Sequence, residues 1–181
     1  MRVTVFGGSE PRPGDPAYQE AYRLGQLMGL KGFTVLTGGY IGTMEAVSRG
    51  AAEAGGHVIG VTCDEIEAWR AIGPNAWVQE EIRFPSLRQR LNALIDHCDA
   101  AIALPGGVGT LAEVAVMWSN LQTGVIAPRQ LILVGPGWQS VIDQFVIVFG
   151  RYVLPEHRQR LSFAPDVESA VELLLVPYKK G

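Results

Sequence analysis

Residues 99–113 read DAAIALPGGVGTLAE, and the order of events in that stretch decides the fold. Ala100–Leu104 is a short, wholly apolar run, the length of a strand rather than a helix. Pro105–Gly109 is a turn that neither regular structure continues through, and a helical pattern then runs from Thr110 to about Leu121. A strand with no polar alternation is one buried on both faces. A strand that passes through a glycine turn into a helix is half of a strand–helix–strand unit.

The same alternation recurs on either side of this unit. Arg2–Phe6 (RVTVF) reads as a strand ended by Gly7-Gly8-Ser9. Asp15 and Pro16 mark a helix start, and Gly32 closes that helix after Leu30. Thr34–Thr37 is a strand, Gly38–Gly42 a turn, and a helix runs from Thr43 to about Ala54 before strand His57–Val61. The segment Asp64–Asn75 has no clear period and reads as an excursion, followed by a strand over Trp77–Arg83 and a helix from about Pro85 to His97. Strand Leu131–Val134 and helices Gln139–Phe149 and Asp166–Leu175 complete the chain. Strands alternating with helices predict a parallel sheet covered on both faces. The expectation is α/β: a Rossmann-like doubly wound parallel sheet in a three-layer αβα sandwich, with residues 1–181 forming a single domain.

Composition narrows the function. Apolar residues make up 48% and charged ones 18%, enough for a core and too little charge for disorder. The net charge of −3 and the scattered basic residues argue against a nucleic-acid partner. No apolar stretch is long enough to span a membrane, and Met1-Arg2 leads straight into a strand with no signal peptide. Cys63 and Cys98 lack metal or redox spacing and read as reduced thiols, so the expected location is cytoplasmic.

In open α/β sheets, ligands bind beyond the carboxyl ends of the strands, where three glycine turns fall. Their candidate ligand-binding residues are Gly8 and Ser9; Gly39, Gly42 and Thr43; and Gly106, Gly107, Val108, Gly109 and Thr110. Free N–H groups and the dipole at a helix start favour an anion, so a phosphate is the expected ligand group. The lysine of a Walker loop is missing, and the first turn lacks dinucleotide spacing. His57 has no second ligand at a metal-binding interval, so neither a metal site nor a cofactor is expected. Any one glycine turn is equally well a tight turn with no ligand. Thr110 and Glu113 also fit a T-x-x-E capping box, Arg90 could be solvated or pair with Asp96 or Glu81, and Trp118 and Met117 fit a core or a dimer contact.

The complete PGGxGTxxE of Pro105–Glu113, the arginine at position 90 on the preceding helix, and the stretches Thr37–Met44 and Ala54–Val61 resemble the LOG family. Its members are nucleoside 5′-monophosphate phosphoribohydrolases, formerly labelled possible lysine decarboxylases, and the resemblance covers roughly residues 1–135. It implies hydrolysis of the N-glycosidic bond of a purine (AMP-type or cytokinin) nucleotide to free base and ribose 5-phosphate. It further implies Arg90 and Glu113 as catalytic residues, the Gly106–Thr110 loop as phosphate cradle, and a homodimer or higher homo-oligomer. Two positions depart from the family pattern: Leu91 stands where a lysine usually follows the arginine, and Ala112 where a second acid is common. The region 37–56 is also similar to molybdenum-cofactor carrier relatives, so the alternative is a non-catalytic nucleotide or pterin-phosphate carrier. Pyridoxal chemistry needs a buried lysine, and Lys31, Lys179 and Lys180 sit at a helix end and in a polar tail.

Overall fold

The computed structural model describes residues 1–176, and Lys179 and Lys180 lie outside them. Among the described residues the chain runs β1 (Arg2–Phe6), α1 (Pro16–Leu30), β2 (Thr34–Thr37), α2 (Thr43–Glu53) and β3 (His57–Cys63). It continues through α3 (Asp64–Trp69), β4 (Glu80–Phe84), α4 (Leu87–Asp96), β5 (Ala100–Ala103) and α5 (Val108–Thr123). The last elements are β6 (Gln130–Val134), α6 (Pro136–Phe149), α7 (Pro155–Arg158), β7 (Leu161–Ala164) and α8 (Val167–Leu175).

The strands form one seven-stranded sheet in the order β4-β3-β2-β1-β5-β6-β7, and every pairing is parallel. Alternate residues of the central strands feed two cores. Val3, Val5, Ala100, Ile102, Ile132 and Val134 pack against α1, α2 and α8. Phe6, Ala101, Ala103, Leu131 and Leu133 pack on the other face with α4, α5 and α6. This is the expected three-layer αβα sandwich. Helices α1 and α2 lie backbone to backbone, because a Cβ on Gly25 would strike the Val47 carbonyl and one on Gly50 the Tyr22 carbonyl. Cys63 and Cys98 are both buried and unpaired.

Several boundaries differ from the sequence reading, each for a physical reason. The excursion after β3 contains α3, six residues with none buried, too short to show a helical period. The strand expected over Trp77–Arg83 is displaced to Glu80–Phe84. Asn75 holds the segment before it in a turn: its amide donates to the carbonyls of Gly39 and Tyr40, and its side-chain oxygen accepts from the Trp77 N–H. Helix α6 begins at Pro136 rather than Gln139, since Gly135 at φ +92° lets the chain turn directly into a proline-started helix. The strand β7 and the turn α7 were not anticipated; LSFA is four residues long and carries no alternation to read.

Candidate active site

Strand order reverses between β1 and β5, since the chain winds from β1 through β2, β3 and β4 to one edge and then returns to place β5 on the other side of β1. At such a reversal the loops leave in opposite directions and open a crevice beyond the carboxyl ends of the strands. A cavity of about 410 Å³ lies there. Its walls come from the β1 turn, the start of α5, the side chains of α4, and the α3 excursion.

The start of α5 supplies one end. Gly107 is the N-cap and the first helical bond runs from the Leu111 N–H to the Gly107 carbonyl. The N–H groups of Val108, Gly109 and Thr110 therefore lie outside the helical ladder and are available to an anion. Gly107 and Gly109 have nothing within 4 Å of where a side chain would begin, so this edge is open to a ligand. Gly106 does a different job: a Cβ there would run into the Thr110 hydroxyl and come within 3.0 Å of the Gly8 N–H. The capping-box reading of Thr110 and Glu113 is overturned. The helix begins two residues earlier, so Thr110 lies inside the first turn and is buried, and Glu113 faces the crevice.

Glu113 and Arg90 meet at the floor. The Glu113 side chain is only 12% exposed, and its Oε1 lies 4.0 Å from Arg90 Nη1. Burial pushes the Glu113 carboxyl up to about 7, against the opposing pull of the Arg90 charge. Arg90 is itself buried, neither solvated nor paired with Asp96 or Glu81. Its Nε donates to the Val61 carbonyl at 2.7 Å and its Nη2 to the Gly38 carbonyl at 3.1 Å, and the guanidinium lies over the Tyr40 ring at 5.6 Å. Those bonds fix the plane of the group and leave Nη1 turned to Glu113. Gly38 is what makes room, because a Cβ there would strike Nη2. A carboxyl balanced near neutrality beside a fixed guanidinium can exchange a proton with a bound reactant.

Of the residues singled out from sequence, Gly8, Ser9, Arg90, Gly107, Val108, Gly109, Thr110 and Glu113 line this one crevice. Gly39, Gly42, Thr43 and Gly106 stand behind the lining. Thr43 is committed to the protein: its N–H and its hydroxyl both donate to the Gly8 carbonyl at 2.9 Å. Gly42 turns at φ +76° with Gly8 and Ser9 backbone 2.6 Å from any Cβ it could carry, and Gly39 at φ +78° backs onto Gly60. Gly38 and Tyr40, which seat Arg90, escaped the sequence reading because their role depends on a contact 52 residues away along the chain. Lys31 is exposed at the far end of α1, beside the start of β2 and hence at the sheet edge opposite the crevice. His57 is exposed and pairs with Glu80 at 3.2 Å at that same edge. Among the described residues, no helix is long and apolar enough to cross a membrane.

Sheet order and crevice together define an open-sheet, Rossmann-like α/β protein with its crevice at the topological switch point, where folds of this class bind ligands. The chain belongs to the family described as "Possible lysine decarboxylase", whose model matches residues 44–174. It is 32% identical over 176 residues to a "Probable cytokinin riboside 5′-monophosphate phosphoribohydrolase" of Oryza sativa subsp. japonica, covering 96% of this chain and 77% of the relative. It is 33% identical over 160 residues to a pyrimidine/purine nucleotide 5′-monophosphate nucleosidase of Escherichia coli (strain K12), covering 80% of this chain and 34% of that protein. Among solved structures, the molybdenum cofactor binding protein of Rippkaea orientalis superposes with a TM-score of 0.74 at 28% identity, covering 96% of this chain and 94% of that one. The curated relatives are named for nucleotide cleavage; among the described residues, no lysine lines this crevice for the chemistry in the family's description.

Proposed function

We propose that the protein is a phosphoribohydrolase, cleaving the N-glycosidic bond of a purine nucleoside 5′-monophosphate of the AMP type to free base and ribose 5-phosphate. The observation that carries this reading is the buried Glu113 carboxyl, raised to about 7 beside Arg90 and one turn into the helix whose open N–H groups face the same crevice. A 5′-phosphate on Val108, Gly109 and Thr110 places the ribose beside Glu113. Cleavage passes through a sugar with cationic character at C1′, which a carboxylate stabilises. Water adds its oxygen to C1′ as the bond to the base nitrogen breaks; the bonding pair leaves with the base, and the proton lost by water is taken up by Glu113 or passed to the base. Whether Glu113 stabilises the cation, holds the ribose hydroxyls or accepts water's proton, the form required is the carboxylate. Arg90, fixed by Val61 and Gly38, orients Glu113 and holds positive charge at the floor of the site. Phosphate contacts remote from C1′ supply binding energy that the reacting centre uses. Water is the co-reactant, with no metal or organic cofactor.

A carrier function is the second reading, and Leu91 and Ala112 favour it, since both line the crevice with apolar surface where family members commonly hold a charge. The experiment that separates the two is incubation with AMP, GMP, CMP, UMP and unphosphorylated adenosine, followed by chromatography. Release of base from a 5′-monophosphate and not from adenosine supports the hydrolase with a phosphate cradle. Binding without release from any of them overturns it in favour of the carrier. We further assign the protein to the cytoplasm, as a homodimer or higher homo-oligomer. The buried free thiols of Cys63 and Cys98 fit a reducing compartment. The apolar face of α6, with Val141, Phe145, Val148 and Phe149 exposed and Trp118 edge-on to Phe145, fits burial against a second copy. Light scattering at micromolar concentration checks the assembly.

A further inference from the structure

Trp69 ends α3 and is 73% exposed, yet it lines the crevice. A large aromatic side chain left in water on a six-residue helix with no buried residue contributes nothing to the core. The helix that presents it is nevertheless held firmly. Arg83 on β4 donates to Asp64 at 2.7 Å and to both carboxylate oxygens of Glu67 at 2.9 and 2.7 Å. Glu65 accepts from the Leu87 N–H at 2.8 Å, tying α3 to the start of α4. The ring is positioned as well. The Arg70 guanidinium lies 4.3 Å from its centroid, while Arg70 Nη1 donates to the Ser9 hydroxyl at 3.1 Å, bridging the crevice mouth to the β1 turn. Arg70 covers part of the ring, most of the residue's surface is still exposed, and Ile66 and Ile72 line the same crevice.

This wall follows β3, whereas the anion-ready helix start follows β5, three strand spacings away in the order β3-β2-β1-β5. That separation is about 14 Å at ordinary strand spacing. A ligand with a phosphate at α5 and its ribose over Glu113 must extend its remaining part, the base, toward α3. We infer that Trp69 is the stacking platform for the nucleobase, so that the crevice reads a planar aromatic group at one end and a phosphate at the other. The inference rests on the nucleotide reading of the site; it does not require that the bond be cleaved.

The test uses the full chain carrying Glu113→Gln, so that the nucleotide stays intact throughout, and titrates it with the four common 5′-monophosphates and with ribose 5-phosphate. Of Trp69, Trp77, Trp118 and Trp138, Trp69 lines the crevice. Tryptophan emission is expected to change saturably with at least one nucleotide and not with ribose 5-phosphate, although calorimetry detects binding of both. Adding Trp69→Ala is expected to weaken that nucleotide roughly ten- to a hundredfold, the range for losing one base–aromatic stack, with ribose 5-phosphate affected less than about twofold. Trp69→Phe should retain most of the affinity while losing the emission change. The exposed position predicts unaltered melting in both variants. Equal weakening of nucleotide and sugar phosphate, no weakening of either, or binding of ribose 5-phosphate with none of the four nucleotides would overturn the inference. A failed hydrolase reading shows itself separately, as wild-type protein that binds nucleotide and releases no base.

Discussion

Two turns in this molecule are nearly the same sentence in sequence and do opposite work. Gly38-Gly39-Tyr40-Ile41-Gly42-Thr43 leads from β2 into α2, and Gly106-Gly107-Val108-Gly109-Thr110 leads from the end of β5 into α5; an acid follows each, Glu45 and Glu113. In the first turn Tyr40 and Ile41 line the crevice, but the backbone of its glycines and Thr43 is closed by the protein itself. Thr43 caps the Gly8 carbonyl twice, the Gly39 carbonyl accepts from Asn75, the Gly38 carbonyl accepts from Arg90, and Glu45 accepts from the Tyr18 hydroxyl at 3.0 Å. The second is open, with free space at Gly107 and Gly109, unclaimed N–H groups on α5, and an acid turned into the crevice. Glycine in a strand-to-helix turn therefore permits a close approach without saying by what. In one turn the approaching group is an arginine of α4; in the other the space is left for a ligand.

The contrast is broken most decisively at the two acids. Glu113→Gln is expected to lower kcat by roughly 10²–10⁴-fold, the range for loss of a positioned acid–base group. Glu45→Gln, whose partner is Tyr18, should leave kcat within about twofold, as steady-state base release would show. Equal losses would mean that the two turns are not functionally distinct.

The same pair sharpens the contrast through pH. Glu113 has a folded value near 7 against an ordinary 4.5, so the fold favours its neutral form. Its favourable contribution is complete below about pH 4.5 and is lost as pH rises through 7. Glu113→Gln removes that loss, so the variant should gain on wild type between those values and stay ahead above them, by at most about 3 kcal/mol. Denaturant melts at pH 5 and pH 8 check the sign. In the active protein the acidic limb of kcat/KM should fall near pH 7, because the ionised carboxylate is the working form. A limb below pH 5 would place Glu113 outside the chemistry.

Smaller effects separate the glycines. Gly38→Ala drives a methyl into the Arg90 guanidinium and should cost about 1–3 kcal/mol of stability by overpacking, with activity lost alongside. Gly109→Ala has space around it inside α5 and should gain about 0.5–1 kcal/mol from helix propensity while raising the KM for nucleotide. Thermal melts beside KM values distinguish the two: one variant loses stability and activity together, the other trades affinity for stability.

The comparison also explains what could be read from the chain. The central strands were legible because runs such as Val3–Phe6 and Leu131–Val134 are buried on both faces and show it in composition. The glycine turns were legible as turns, and the matched motif singled out Arg90 and Glu113, which the fold brings to 4.0 Å. The division of labour among the turns was not legible. It depends on contacts such as Arg90 to Gly38 and Thr43 to Gly8, which join segments 52 and 35 residues apart. The helix α3, with its outward Trp69, and the strand β7 are too short for any period to announce them. The T-x-x-E pattern was ambiguous on its own, since Thr110 and Glu113 also fit a capping box, and the helix start at Val108 removes that alternative.

The central claim is that the open turn and the Arg90–Glu113 pair cleave a nucleotide rather than merely hold it. Its most direct test is chromatography of adenine and ribose 5-phosphate from AMP, for wild type and Glu113→Gln, with calorimetric binding measured on the same preparations. The account predicts equal amounts of the two products from wild type, and from Glu113→Gln binding without release. Wild-type protein that binds AMP and forms neither product, or a Glu113→Gln variant that forms both at the wild-type rate, would contradict it.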